Sequence, residues 1–236
     1  MYQELIGELR WAIEIGRVEI EHEVSVLSSY QANPRDGHLQ QILHIFAFLK
    51  KNQKLTLYFD PSPAVIYPTS FTGSNVEEFS DQYRGAKEEL PTDAPKSRGR
   101  AVEVTAFVYA SHASDKKTRL SHIGYIIFVN HAPMIWYSKR QATVESSTFG
   151  SEFIELKICV EYIIKLRFKL RMFGIPIDGE SRMLNGNKSV VDSSSKLEST
   201  LNKKHNSIAY YLVIFFLSFS FGPASKVPNL THYGVV

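Results

Sequence analysis

The chain has 236 residues, 44% of them hydrophobic, and its 27 basic and 24 acidic side chains give a formal net charge of +3. This composition argues against a disordered chain, and the small positive charge permits nucleic-acid binding without requiring it. A single cysteine, Cys159, excludes an internal disulfide and fits a reducing, intracellular compartment, either cytoplasm or nucleus. The N-terminus lacks signal-peptide features, and the longest apolar run, residues 209–222, is short for a membrane helix, so no membrane partner is expected.

The first 59 residues are predicted to form a small, mainly helical subdomain. Apolar side chains recur at helical spacing over residues 2–12, 20–27 and 39–49, and a turn at residues 33–37 precedes the third helix. Alternating apolar residues then predict a short strand at residues 55–59. Nothing in this subdomain is catalytic by itself.

Residues 60–100 differ from their surroundings in composition. Five prolines punctuate this stretch, and it ends in the basic run KSRGR. We interpret it as a linker with one helical piece at residues 76–89. The basic end could contact phosphate, although such runs are more often solvated linker.

Strand patterns begin after the linker. Alternation predicts strands at residues 102–109, 124–129 and 133–139, and helical periodicity predicts a long helix over residues 147–173. A short apolar piece at residues 182–184 and a small helix at residues 189–195 follow. Three strands, a helix, a strand and a helix indicate a mixed α/β domain.

Three short motifs occur in order within this domain. They are the turn LSHIGY at residues 120–125, the strand WYSKRQ at residues 136–141 and the helix start SSTFGSE at residues 146–152. Together they resemble the ribonuclease H segment of copia-type retrotransposon polyproteins, and residues 1–59 resemble the end of that family's reverse transcriptase. The resemblance implies a ribonuclease-H-like mixed sheet over residues 101–210. Residues 211–236 match nothing in the family, which suggests an unrelated or frameshifted tail.

In that family, four carboxylates hold two Mg²⁺ ions that hydrolyse the RNA of RNA–DNA hybrids. The resemblance places the helix glutamate at Glu152, which is present, and the first-strand aspartate at Tyr109. A phenol is protonated at neutral pH and cannot replace a carboxylate. The fourth-strand aspartate falls on Gly186, and the last aspartate belongs to the part of the chain replaced by the tail. We therefore expect no stable Mg²⁺ site, with at most weak binding at Glu152, an acid that the helix dipole alone would also favour.

Two hypotheses follow for function. The first is a degenerate, catalytically inactive fragment with residual affinity for RNA–DNA hybrid or duplex; the second is an active Mg²⁺-dependent ribonuclease H of retroelement replication. Recruitment as a host binding protein is a third possibility. Asp115 matches no family ligand and is expected to be a solvated surface acid. Basic residues that could contact phosphates, or form an ordinary wet surface, are Lys116, Lys117, Arg119, Lys139, Arg140, Lys165, Arg167, Lys169 and Arg171.

Overall fold

Three helices form the N-terminal part of the computed structural model, which describes residues 1–62, 90–115, 117–179, 181–187, 189–190 and 222–223. Helix α1 is Tyr2–Glu14, α2 is Glu21–Ser28 and α3 is Asp36–Lys51, with a 3₁₀ turn at Val18–Ile20 between the first two. Their apolar side chains meet in one core. Its buried members are Tyr2, Ile6, Leu9, Ile13, Ile20, Val24, Leu27, Ile42 and Ile45.

The local sequence explains where these helices end and how they join. Gly16 follows α1 with φ of +119°, a conformation that glycine adopts without a Cβ clash. The Tyr2 hydroxyl donates a hydrogen bond to the Leu27 carbonyl at 2.9 Å, which links α1 to α2.

The three helices predicted in the N-terminal part are confirmed. The strand predicted at residues 55–59 is wrong: only Leu57 forms an isolated bridge, and Tyr58 and Phe59 are exposed with no described strand beside them.

A mixed five-stranded sheet follows in the chain. Its strands are β1 (Val104–Ser111), β2 (His122–Val129), β3 (Ala132–Arg140), β4 (Arg182–Asn185) and β5 (Gly222–Pro223). They lie in the order β3-β2-β1-β4-β5. The first three are antiparallel neighbours, whereas β4 pairs in parallel with both β1 and β5.

The long helix α4, Thr148–Met172, covers one face of this sheet. The Ser147 side chain caps its start by accepting from the Gly150 N–H at 3.1 Å, and Gly174, with φ of +74°, follows its end. Alternate β1 residues and one face of α4 form the core. Its most deeply buried members include Val104, Ala106, Val108, Ile127, Phe153, Leu156, Cys159, Val160 and Met183. The predicted α/β class and ribonuclease-H-like arrangement of sheet and helix are confirmed.

Several predicted features lie wholly or largely outside the described residues. These are the helical piece at residues 76–89, the helix at residues 189–195 beyond its first two residues, and most of the tail. Within the tail, Gly222–Pro223 pairs with Leu184–Asn185 at the edge of the sheet. Within the ranges described, no helix combines the length and the apolar character that crossing a membrane requires.

The N-terminal helices contact the sheet along its β3 edge. Glu21 of α2 accepts a hydrogen bond from the Ser138 N–H at 3.1 Å, and Trp136 packs against the helical core. A cavity of about 1050 Å³ lies between α1, α2 and β3. Because β3 lies at one edge of the described sheet, this contact covers part of a backbone edge that would otherwise be unpaired.

Candidate functional site

Glu152 lies near the N-terminal end of α4, where its side chain reaches the end of β4. Its Oε2 accepts hydrogen bonds from the Ala110 N–H at 3.3 Å and from the Asn185 side-chain amide at 3.1 Å. The residue is only 4% exposed. Burial raises the pKa of Glu152, and the two donors oppose that rise because they favour the charged form.

Tyr109 and Gly186 are the sequence neighbours of the two residues that donate to this carboxylate, since Tyr109 precedes Ala110 in β1 and Gly186 follows Asn185 at the end of β4. Val108 and Asn185 form the last pair of the parallel β1–β4 ladder. Tyr109 and Gly186 are the residues that follow this pair in the sequence. Tyr109 is 64% exposed, and a Cβ added at Gly186 would meet nothing within 4 Å. That Tyr109 and Gly186 occupy ligand positions beside Glu152 stays a prediction. The fourth ligand position belongs to the tail, outside the described residues.

These residues do not fit a two-Mg²⁺ centre. Mg²⁺ requires hard oxygen ligands, usually carboxylates, whereas Tyr109 offers a neutral phenol and Gly186 offers no side chain. One oxygen of Glu152 already accepts two hydrogen bonds from the protein. Across the part of the chain that the structure describes, no group of three or more histidine, cysteine or acidic residues is placed to hold a metal ion.

A second carboxyl group, which the sequence analysis missed, lies one helical turn further along α4. Glu155 is fully buried, and its Oε1 accepts a hydrogen bond from the Gly124 N–H. Its Oε2 has no hydrogen-bond partner among the described residues. Burial raises the pKa of Glu155 to about 10, so the group is protonated at neutral pH. The signal available in the sequence was its place on the apolar face of α4, directly before Leu156.

The family-like motifs meet in a hydrogen-bonded network at the start of α4. The hydroxyls of Ser121 and Ser151 form a hydrogen bond at 2.8 Å, and His112 Nδ1 lies 2.9 Å from the same Ser151 hydroxyl. The Gln141 side chain donates to the Ser151 carbonyl at 2.7 Å. These contacts fix the β1–β2 turn and the end of β3 against the helix that carries Glu152. Ser121, Gln141 and Ser151 therefore hold the site in position, and Glu152, the last residue of the third motif, supplies its carboxylate.

Asp115 is not the solvated surface acid that the sequence predicted. Its side chain is only 10% exposed, accepts from the Lys117 and Thr118 N–H groups, and pairs with Arg140 at 2.9 Å. Hydrogen bonding from Thr118, followed by Arg140 and Lys117, holds the pKa of Asp115 well below its usual range. The reason is the tight turn between β1 and β2, which folds the local donors around this carboxylate.

Some of the basic side chains that were predicted to contact phosphates already bind other groups of the protein. Arg140 pairs with Asp115, and Arg167 donates to the Gly179 carbonyl and the Ser181 hydroxyl. Lys117, Arg119 and Lys139 are exposed around the β1–β2 turn and the end of β3. These three, which we call the hairpin basic group, remain available to an anionic partner.

Comparison with known proteins gives two sequence relatives, while no protein-family model matches the chain. A retrovirus-related Pol polyprotein from transposon RE1 of Arabidopsis thaliana is 22% identical over 152 residues, which cover 64% of this chain and 8% of the polyprotein. Secreted RxLR effector protein 161 of Plasmopara viticola is 20% identical over 170 residues, which cover 72% of this chain and 94% of that protein. The chain therefore spans only a small part of the polyprotein.

Solved structures that align with this one include ribonuclease H1 from Halobacterium salinarum, at 12% identity and a TM-score of 0.39. The alignment covers 56% of this chain and 91% of that one. LC11-RNase H1 in complex with an RNA/DNA hybrid aligns at 13% identity and a TM-score of 0.39 over 51% of this chain and 86% of that one. The foamy viral protease-reverse transcriptase in complex with an RNA/DNA hybrid aligns at 13% identity and a TM-score of 0.36. The alignment covers 82% of this chain and 24% of that one.

These TM-scores are too low to support a fold assignment. The assignment rests instead on the strand order and on the pairing of the strands. The polyprotein relative agrees with the similarity that the motifs predicted. The chain is thus similar to the ribonuclease H region of a retrotransposon polyprotein, as its motifs predicted.

Proposed function

We propose that this ribonuclease-H-like region binds RNA–DNA hybrid or duplex nucleic acid and does not hydrolyse it. One observation carries the proposal: Tyr109 and Gly186, which carry no carboxylate, directly adjoin Ala110 and Asn185, the two residues that donate to Glu152. If Tyr109 and Gly186 are the ligand positions that the resemblance implies, the site has lost the anions that hydrolysis requires.

The physical reason for inactivity is a shortage of negative charge. Two-metal hydrolysis needs several carboxylates to hold two divalent cations near 4 Å apart, against the mutual repulsion of those cations. A single carboxylate, restrained by Asn185 and Ala110 and with its pKa raised by burial, supplies too little negative charge for that purpose. Neither the activated water nor the stabilised leaving oxygen would then form.

Binding of nucleic acid would depend on a different surface. The hairpin basic group places three exposed cations near the turn that the network at Ser121 and Ser151 holds in place. Cations of this kind bind phosphates without reading sequence, and their binding depends strongly on salt. The loss of metal ligands would not change the charge or the exposure of the hairpin basic group.

A cleavage assay and a binding assay test the two halves separately. Purified protein is incubated with labelled RNA–DNA hybrid and either Mg²⁺ or Mn²⁺, and we expect no cleavage above background. Binding to the same hybrid is measured over a salt series for the parent and for Lys117→Ala/Lys139→Ala. We expect that variant to weaken binding and to reduce the slope of log affinity against log salt by about 1 for each lysine that binds a phosphate.

The matched control is Lys50→Ala/Lys51→Ala, which removes the same charge from the exposed end of α3. Equal effects of the two double variants would contradict a localised nucleic-acid surface. The retained Glu152 favours the alternative of an active ribonuclease H. Metal-dependent cleavage that Glu152→Gln abolishes would establish that alternative and end the proposal of an inactive site.

A further inference from the structure

Two histidines face each other where the N-terminal helices meet the sheet. His22 is exposed on α2, and His122 is 5% exposed on β2. Their ring centroids lie 5.5 Å apart with an interplanar angle of 73°. This pair lies outside the Glu152 site and takes no part in the function proposed above.

Each ring directs the same nitrogen toward a serine hydroxyl. His122 Nδ1 lies 3.2 Å from the Ser114 hydroxyl, and His22 Nδ1 lies 3.5 Å from the Ser138 hydroxyl, which is a long contact. Nε2 of each ring therefore remains for another partner. His122 Nε2 is buried and makes no hydrogen bond to any described part of the chain. A buried polar atom without a partner is unfavourable, so it marks a position that a ligand can satisfy.

We propose that His22 and His122 together bind a borderline transition-metal cation of the Zn²⁺ type through their Nε2 atoms. Two imidazoles that share a tetrahedral Zn²⁺ at about 2.0–2.1 Å from each nitrogen have ring centroids about 5 Å apart, close to the observed separation. The serine hydroxyls on the Nδ1 atoms correspond to the outer hydrogen bonds that orient metal-binding histidines.

The acids near the pair already have other partners, so water would complete the coordination of a two-histidine site. Asp115 and Arg140 act electrostatically on His122 with opposite signs, and the Asp115 carboxylate is already used by Arg140, Lys117 and Thr118. Glu21, beside His22, accepts from the Ser138 N–H. Burial lowers the pKa of His122, which favours the neutral imidazole that metals bind. A cation bound here would link α2 directly to β2.

Zinc titration of untagged protein tests the proposal. We measure Zn²⁺ binding by calorimetry and the thermal unfolding midpoint with and without Zn²⁺, for the parent, His22→Ala and His44→Ala. His22 is exposed, so its replacement leaves the fold intact, and His44 is a matched exposed histidine on α3. We expect Zn²⁺ to raise the midpoint of the parent and of His44→Ala, and His22→Ala to weaken Zn²⁺ binding at least about tenfold.

Two results would overturn the proposal. Equal Zn²⁺ affinity in the parent and His22→Ala would place the bound metal elsewhere. A parent that does not bind Zn²⁺, with His22→Ala lowering the unfolding midpoint in metal-free buffer, would show that the two rings only pack edge to face.

Discussion

Replacing Glu155 by glutamine should stabilise the protein increasingly as the pH rises. The folded-state pKa of this carboxyl is raised to about 10 from an ordinary value of 4.5. Below pH 4.5 the group is protonated in both the folded and the unfolded chain, so it contributes no pH dependence. Above that value the unfolded chain releases the proton while the folded chain keeps it, so stability falls as the pH rises toward 10.

The magnitude follows from the length of that interval. Each pH unit within it changes the free energy of unfolding by about 1.4 kcal/mol, so the parent should lose about 2 to 3 kcal/mol between pH 6 and pH 8 through this group. Glutamine keeps an oxygen to accept from the Gly124 N–H and cannot ionise. The variant should therefore lack this loss.

Urea unfolding of both proteins at pH 5, 6, 7 and 8 measures the difference. Glu161→Gln on the same helix is the control, because Glu161 pairs with Lys157 at the surface and should change stability by less than about 1 kcal/mol. If Glu155→Gln and the parent show the same dependence on pH, the Glu155 carboxyl is ionised in the folded protein and the reasoning from its burial is refuted.

Two further substitutions test the framework around the site. Ser147→Ala removes the acceptor for the Gly150 N–H and should lower the free energy of unfolding by about 1 kcal/mol in urea, whereas an unchanged value would show that this cap is dispensable. Asp115→Asn should destabilise the protein at neutral pH because it removes the charge that Arg140 pairs with. Since the pKa of Asp115 is lowered by folding, its contribution is present above about pH 4 and is lost as the pH falls through the folded-state value. The stability gap between parent and variant should thus narrow in acid, and a constant gap would contradict that role.

Periodicity predicted the elements whose burial follows a regular pattern. The α4 face that includes Phe153, Leu156 and Val160 is buried as expected, and β1 to β3 begin and end within a few residues of the predicted limits. The strand at residues 55–59 failed because alternation alone does not supply a neighbouring strand, and pairing is a tertiary property.

The sequence indicated candidate residues for the site but not the hydrogen bonds around them. The resemblance assigned ligand positions to Tyr109, Glu152 and Gly186, and only the contacts of Glu152 with Ala110 and Asn185 are seen in the structure. The donors on Glu152 come from residues 42 and 33 positions away in the chain. Long-range hydrogen bonds of this kind leave no local pattern. The same holds for the contact between His22 and His122, which depends on how α2 meets the sheet.

The proposed ligand positions can be tested by putting aspartates back. The double variant Tyr109→Asp/Gly186→Asp requires little repacking, because Tyr109 is exposed and the space beside Gly186 is open. Three carboxylates near one another repel when no cation is bound, and that repulsion favours Mg²⁺ binding. Tyr58→Asp/Gly37→Asp is the matched control, since it makes the same two changes at an exposed tyrosine and an unobstructed glycine of the N-terminal part.

Calorimetric Mg²⁺ titration of the parent, the double variant and the control is the most direct measurement. We expect that only Tyr109→Asp/Gly186→Asp binds Mg²⁺ more tightly than the parent, and that Glu152→Gln in that background removes the gain. Equal Mg²⁺ affinity of the parent and the double variant would contradict the proposed inactive site, because Tyr109 and Gly186 would then not occupy metal-ligand positions.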